Sequence, residues 1–153
     1  MKTVGPHTGL QVADLEQSLA FYSGLLGLPV IARRTIAEPY IGQLVGYPGV
    51  EIHSAFLDIG VSNYNLELLE YRGIPRKAVD PQTSNSGTAH TCFVVEDIGH
   101  LHARLVEAGA PSMSPAPVVP THGPNAGRRV VYMADPDGIR VEFIEQSPAT
   151  SPP

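Results

Sequence analysis

The stretch "HTGLQVADLEQSLAFY", opening at His7, is written a second time as "HTCFVVEDIGHLHARL", opening at His90, 83 residues further on. Without a gap, His7 falls on His90, Thr8 on Thr91, Val12 on Val95, Asp14 on Asp97 and Leu15 on Ile98. A chain that carries one supersecondary unit twice has two equivalent faces to bury, so an internal repeat constrains its fold more than any other feature. In each copy an alternating strand leads to an acid and then to apolar residues at helical spacing. These are Leu15, Leu19, Tyr22 and Leu26 in the first copy and Ile98, Leu101, Leu105 and Ala108 in the second. Asp14 with Gln17 three residues later predicts a helix start, Asp97 predicts another, and Gly27 and Gly109 mark the ends.

The rest of each copy reads as strands. "PVIARRTI" is the second strand of the first module; "AEPYIGQLVGYPG" is read as a long loop because of Pro39, Gly42, Gly46, Pro48 and Gly49. "EIHSAFLDIG" and "NYNLELLEY" follow, joined by a turn around Gly60 to Asn63. In the second module a strand broken by Pro115 and Pro117, over residues 112–119, is expected at a sheet edge. After it come "RRVVYMA", the turn "DPDG" and "IRVEFIEQ". The predicted class is α+β, with the β-α-β-β-β order written twice. The modules are expected over residues 5–71 and 90–146, with a Gly-, Pro- and Ser-rich linker at 72–89 and a flexible tail at 147–153.

The repeat has a second half. "LELLE" closes the first module and "VEFIE" the second, so Glu67 matches Glu142 and Glu70 matches Glu145. Successive strand side chains point to opposite faces. If Leu10, Val12, Leu66, Leu68, Val141 and Phe143 face the helices, then His7, Glu67, His90 and Glu142 share the other face. A carboxylate in an apolar strand is costly to bury unpaired, and two at symmetric places call for a compensating cation. Two imidazoles and two carboxylates suit a divalent ion such as Zn, Ni, Co, Fe or Mn, with positions left for a bidentate substrate.

Composition narrows the partners. A net charge of -5 without a run of Lys or Arg gives no footprint for nucleic acid or an anionic membrane, and no apolar run reaches transmembrane length. A small-molecule substrate is the expected partner. The single Cys92 forms no internal disulfide, and Met1 to Thr3 read as leading directly into structure, so a cytoplasmic protein is expected.

The motifs "HTGLQVADLEQSLAFYSGLLGL", "LELLEY", "HTCFVVEDI" and "YMADPDGIRVEFIE" resemble the vicinal oxygen chelate superfamily, which groups glyoxalase I, methylmalonyl-CoA epimerase, extradiol dioxygenases and drug-resistance proteins. The resemblance covers roughly residues 5–146. It implies two paired β-α-β-β-β modules whose curled mixed sheets enclose a metal-binding cavity, with the metal held by the first and last strands of each module, which places His7, Glu67, His90 and Glu142 as ligands. It further implies chemistry in which two adjacent substrate oxygens chelate the ion while a base moves a proton. The His-Glu-His-Glu set resembles glyoxalase I and, next to it, the epimerases, so the expected activity is a metal-dependent lyase or isomerase passing through an enolate. Glutathione-using members tend to carry Arg at the place of Gln11 and Asn at that of Tyr71, and this chain departs from both. Tyr132, ten residues before Glu142, keeps an extradiol-type Fe(II) dioxygenase as the alternative, with a metal-free binding protein third.

Glu67 and Glu142 are expected to act in catalysis as well as ligation. His53 is a candidate proton-shuttling base, and Tyr132 a candidate hydrogen-bond donor to substrate. Glu70 and Glu145 have the opposite parity and are expected to be solvated, His100 exposed, His102 packed at a helix edge, and Cys92 a small filler. Arg33, Arg34, Arg128 and Arg129 are candidates for gripping a substrate anion, two of them being expected to be solvated strand ends. A homodimer is expected, because one module cannot close a cavity alone and paired modules leave edges to cover.

Overall fold

The computed structural model describes residues 6–146. The residues expected to lead into the fold at Met1 to Thr3, and the tail expected at 147–153, lie outside the described residues. The chain divides between Val79 and Asp80 into two compact units, a division that falls within the polar segment 72–89.

The first unit is a four-stranded mixed sheet in the order β1-β4-β3-β2, formed by β1 (His7–Gln11), β2 (Val30–Ile36), β3 (Glu51–Val61) and β4 (Tyr64–Arg72). Strand β1 runs parallel to β4, and β3 is antiparallel to both neighbours. Asn63, at a φ of 58°, closes the β3–β4 hairpin in a conformation that asparagine tolerates. Helix α1 (Leu15–Leu19) starts where Asp14 Oδ1 accepts the Gln17 amide at 3.0 Å, as the capping pattern predicts.

The helix does not keep its period. Residues Ala20–Leu25 widen into a π-helical turn, with the Leu26 amide donating to Phe21 O at 3.0 Å. Phe21 and Tyr22 are both buried as a result, while Leu26, expected on the stripe, is only half-buried. This element packs against β3 and β4, covering Leu10, Ala55, Leu57, Leu66 and Leu68. Each buried leucine there contributes about 1.5–3 kcal/mol.

The segment expected to be a long loop contains a helix, α2 (Pro39–Val45). Pro39 sits in its first turn, where the missing N–H costs nothing, and Gly46 ends it at a φ of 79°. Proline and glycine are punctuation of a short helix here, and reading them as breakers hid it. Ile41 of α2 packs with Val50, Ile52, Ile36, Leu69, Tyr71 and Ile74.

The second unit is a three-stranded sheet in the order β5-β7-β6, with β5 (His90–Val95), β6 (Val130–Ala134) and β7 (Arg140–Glu145). Helix α3 (Ile98–Glu107) is capped by Asp97 Oδ1 on the His100 amide at 3.0 Å and buries Ile98 and Leu105. The edge strand expected over residues 112–119 is reduced to two isolated bridges, Ser112 to Met133 and Val118 to Val130. Pro115 and Pro117 lie between them and cannot donate to a ladder. The two sheets, four-stranded and three-stranded, with helices on their apolar faces make the chain α+β.

Candidate metal centre

Strand register decides which side chains meet. In the first unit Gly9 pairs with Glu67, and Glu67 with Phe56, so His7, Gly9, Gln11, Glu67, Leu69, Ser54 and Phe56 share one face. Leu66 and Leu68 are fully buried on the other face, which fixes Glu67 away from the helix. His7 Nε2 stands 3.2 Å from Glu67 Oε2. The carboxylate side chain is 13% exposed and the imidazole 51%, so the acid is covered and the ring is open to a ligand. The His7 ring meets Phe56 edge-on, centroids 5.7 Å apart.

The second unit repeats this arrangement from different residues. Cys92 and Tyr132 pair with Glu142 from its two sides, and His90 has the parity of Cys92. His90 Nε2 stands 3.4 Å from Glu142 Oε2, with exposures of 42% and 15%. Tyr132 takes the place of Phe56, its ring 5.3 Å from that of His90 and its hydroxyl 3.4 Å from His90 Nε2. Val141 and Phe143 are buried on the far face, as alternation predicts.

Two donors each about 2.1 Å from one ion, at tetrahedral or octahedral angles, lie about 3.0–3.4 Å from each other. Both Nε2–Oε2 separations fit such neighbouring ligands. Among the described residues no group of three or more His, Cys, Asp or Glu side chains gathers as a metal site. What each unit holds is therefore one His–Glu pair.

Other candidates sort by face. His53 pairs with Glu70 across β3 and β4, on the face opposite Glu67, and its Nε2 contacts Glu51. The structure does not bring it to the His7–Glu67 pair, because an offset of three positions along β3 puts it on the opposite face from Phe56. Glu70, expected to be solvated, is buried: it accepts the Leu15 amide at 3.1 Å and Arg72 Nε at 2.8 Å. The Arg72 bond holds its carboxyl below the usual range against the opposing effect of burial. Glu145 is likewise paired, to Arg129, and Arg33 is paired to Glu16. Arg128 donates to Glu145 O at 2.7 Å, while Arg34 lies over the Phe56 ring at 5.5 Å.

Cys92, expected to be a small filler, is exposed. Local desolvation of the thiol, then the Glu142 carboxylate, push it up to about 11, which keeps it protonated. Desolvation and then Glu142 also raise Tyr132, so its phenol keeps its proton near neutrality. Tyr71 is raised by desolvation and by Glu67, and packs edge-on against Tyr47 at 6.2 Å. Sequence reasoning missed Phe56, Ser54 and Tyr47; for Phe56 the signal was its register partner, which needs the β3–β4 turn to be placed first. His100 is exposed, and His102 is half-buried with Nε2 3.0 Å from Ser112 Oγ.

Two mixed sheets, each with a first-strand imidazole beside a last-strand carboxylate, define a two-module α+β protein of the vicinal oxygen chelate type. The chain belongs to the Glyoxalase/Bleomycin resistance protein/Dioxygenase superfamily, whose family model matches residues 6–143. It is 28% identical over 144 residues to a probable lactoylglutathione lyase of Synechocystis, covering 92% of this chain and 94% of that protein. A lactoylglutathione lyase of Haemophilus influenzae is 29% identical over 147 residues, covering 95% and 94%. A probable chloroplastic lactoylglutathione lyase of Arabidopsis thaliana is 27% identical over 150 residues; 95% of this chain matches only 37% of that protein's length. Among solved structures, a glyoxalase family protein from Bacillus cereus superposes with a TM-score of 0.81 at 21% identity, covering 95% of each chain. No helix among the described residues is long and apolar enough to cross a membrane.

Proposed function

We propose that the chain is a metal-dependent lyase or isomerase of the glyoxalase I and epimerase type, with His7, Glu67, His90 and Glu142 as the ligands of one divalent ion. The observation that carries this reading is the duplicated His–Glu pair, at 3.2 Å in one unit and 3.4 Å in the other. A chance polar pair on a sheet face has no reason to recur at the same register beside an aromatic ring. The curated relatives named lactoylglutathione lyase support the same class. When bound, the ion supplies Lewis-acid polarisation of two adjacent substrate oxygens. The chain's own residues handle the proton. Glu67 and Glu142 are covered carboxylates that can accept it from the substrate carbon and return it, and the Tyr132 phenol stays protonated and donates a hydrogen bond beside His90.

Gln11 and Tyr71 stand where glutathione-using glyoxalases tend to carry an Arg and an Asn, and Tyr71 is engaged with Tyr47. The substrate is therefore read as a small oxygenated molecule other than a glutathione adduct. The Tyr132 hydroxyl near His90 Nε2 favours a second reading, extradiol ring cleavage on Fe(II). Metal analysis of the purified protein, run beside oxygen uptake with catechols, separates the readings, and turnover of the methylglyoxal–glutathione adduct contradicts the exclusion of glutathione. Bound metal without oxygen uptake supports the lyase or isomerase; oxygen uptake supports the dioxygenase; a metal-free protein overturns both.

A further inference from the structure

Among the described residues Arg34 is a cationic side chain on the His7–Glu67 face whose charge no carboxylate takes up. Register sorts the two neighbouring arginines: Arg33 pairs with Ala55 on the helix side and meets Glu16, whereas Arg34 pairs with Ser54 and so shares the face of Phe56 and Glu67. Among the described residues Arg34 makes no ion pair, and its guanidinium folds back over the Phe56 ring at 5.5 Å. Phe56 in turn meets the His7 ring at 5.7 Å, which bounds the guanidinium at 11.2 Å from the imidazole centroid. The ring fixes the flexible side chain without neutralising it.

The ground beneath Arg34 is also incomplete. Ser54, its register partner, is buried at 1% exposure, and its hydroxyl has no hydrogen-bond partner among the described residues. One row further along, α2 closes over Ile52 and Tyr71, so the face is covered on that side. An unneutralised guanidinium, whose register partner on the same face carries an unsatisfied buried hydroxyl, is an arrangement suited to an anion.

We infer that Arg34 is a positioning residue that grips a carboxylate at the end of the substrate remote from its metal-chelating oxygens, so that the substrate is a small acid bearing a second anionic group. The inference rests on reading His7 and Glu67 as half of a metal centre. A planar fork binds a carboxylate bidentately, and Phe56 holds that fork at a set distance from the chelating end.

The test uses the full chain, zinc-loaded and metal-free, titrated with 2-oxoglutarate and with its 5-methyl ester, which removes the distal charge and adds one methyl group. Wild type binds the free acid about tenfold more tightly than the ester, the worth of one charge-assisted contact. Arg34→Ala and Arg34→Gln bind both ligands alike at the ester's affinity, and Arg34→Lys recovers part of the ratio. The Arg34 Nε–Hε resonance shifts with the acid and not with the ester. No preference for the acid in either form of the wild type, or a preference that survives Arg34→Ala, overturns the proposal. Zinc retention is measured separately: a chain that holds no zinc overturns the metal reading, and Arg34 is then judged on the metal-free titration alone.

Discussion

Phe56 and Tyr132 occupy the same station in the two units. Each stands opposite a strand carboxylate, Glu67 or Glu142, and each meets the imidazole of its unit edge-on. They differ by a hydroxyl, which in Tyr132 lies 3.4 Å from His90 Nε2. The repeat supplies a symmetric frame, and the symmetry is broken here at an atom able to hold a proton.

Removing that atom should cost turnover and not metal. Tyr132→Phe makes the ring beside the second His–Glu pair match the ring beside the first, and is expected to lower turnover about tenfold to a hundredfold while zinc content stays at the wild-type level. Steady-state kinetics beside metal analysis checks this, and unimpaired turnover assigns Tyr132 to packing.

Glu70 links the start of α1 to the last strand of its sheet through the Leu15 amide and Arg72. Its folded-state pKa lies below the ordinary 4.5, so its contribution to stability is full above that value and is lost as pH falls through the lowered one. Glu70→Gln should cost about 1–3 kcal/mol at pH 7 and flatten the acid limb of the stability curve. Denaturant melts across the acid range measure both effects.

Gly42 lies in α2 where it meets the chain that follows. A Cβ there would come 3.0 Å from Tyr47 O and 3.2 Å from Pro48 Cα, both backbone atoms unable to step aside. Gly42→Ala is expected to destabilise by about 1–3 kcal/mol. Gly24→Ala, with nothing within 4 Å of its Cβ, should be neutral or stabilising in the same melts.

Period-two patterns were legible in the sequence and longer-range ones were not. His7, Glu67, His90 and Glu142 fell on the predicted faces because Leu66, Leu68, Val141 and Phe143 leave their strands only one way to sit. The caps at Asp14 and Asp97 were legible because an N-cap is a local hydrogen bond. His53 was ambiguous until the β3–β4 register gave it Glu70 as its partner, and Glu70 read as solvated because its Leu15 contact spans 55 residues. The α2 helix was hidden because proline at a first helical turn and glycine at a left-handed cap look like loop residues when counted without position. The π-helical turn at Ala20–Leu25 has no signal in a pattern of apolar spacing.

A dimer is the expected assembly, since among the described residues β2 ends the first sheet with an edge that association could cover. Sedimentation at micromolar concentration should give about twice the 16.3 kDa chain mass. A monomer that retains metal and turnover contradicts this expectation.

The most direct test is the zinc content of the purified chain beside Glu67→Gln and Glu142→Gln, with affinity measured by competition with a chelator. If the two His–Glu pairs serve one ion, wild type holds close to one equivalent per chain and either substitution alone weakens binding markedly, since each removes an anionic ligand from the same centre. Two equivalents per chain, or wild-type affinity after either substitution, contradicts a single centre built from both pairs.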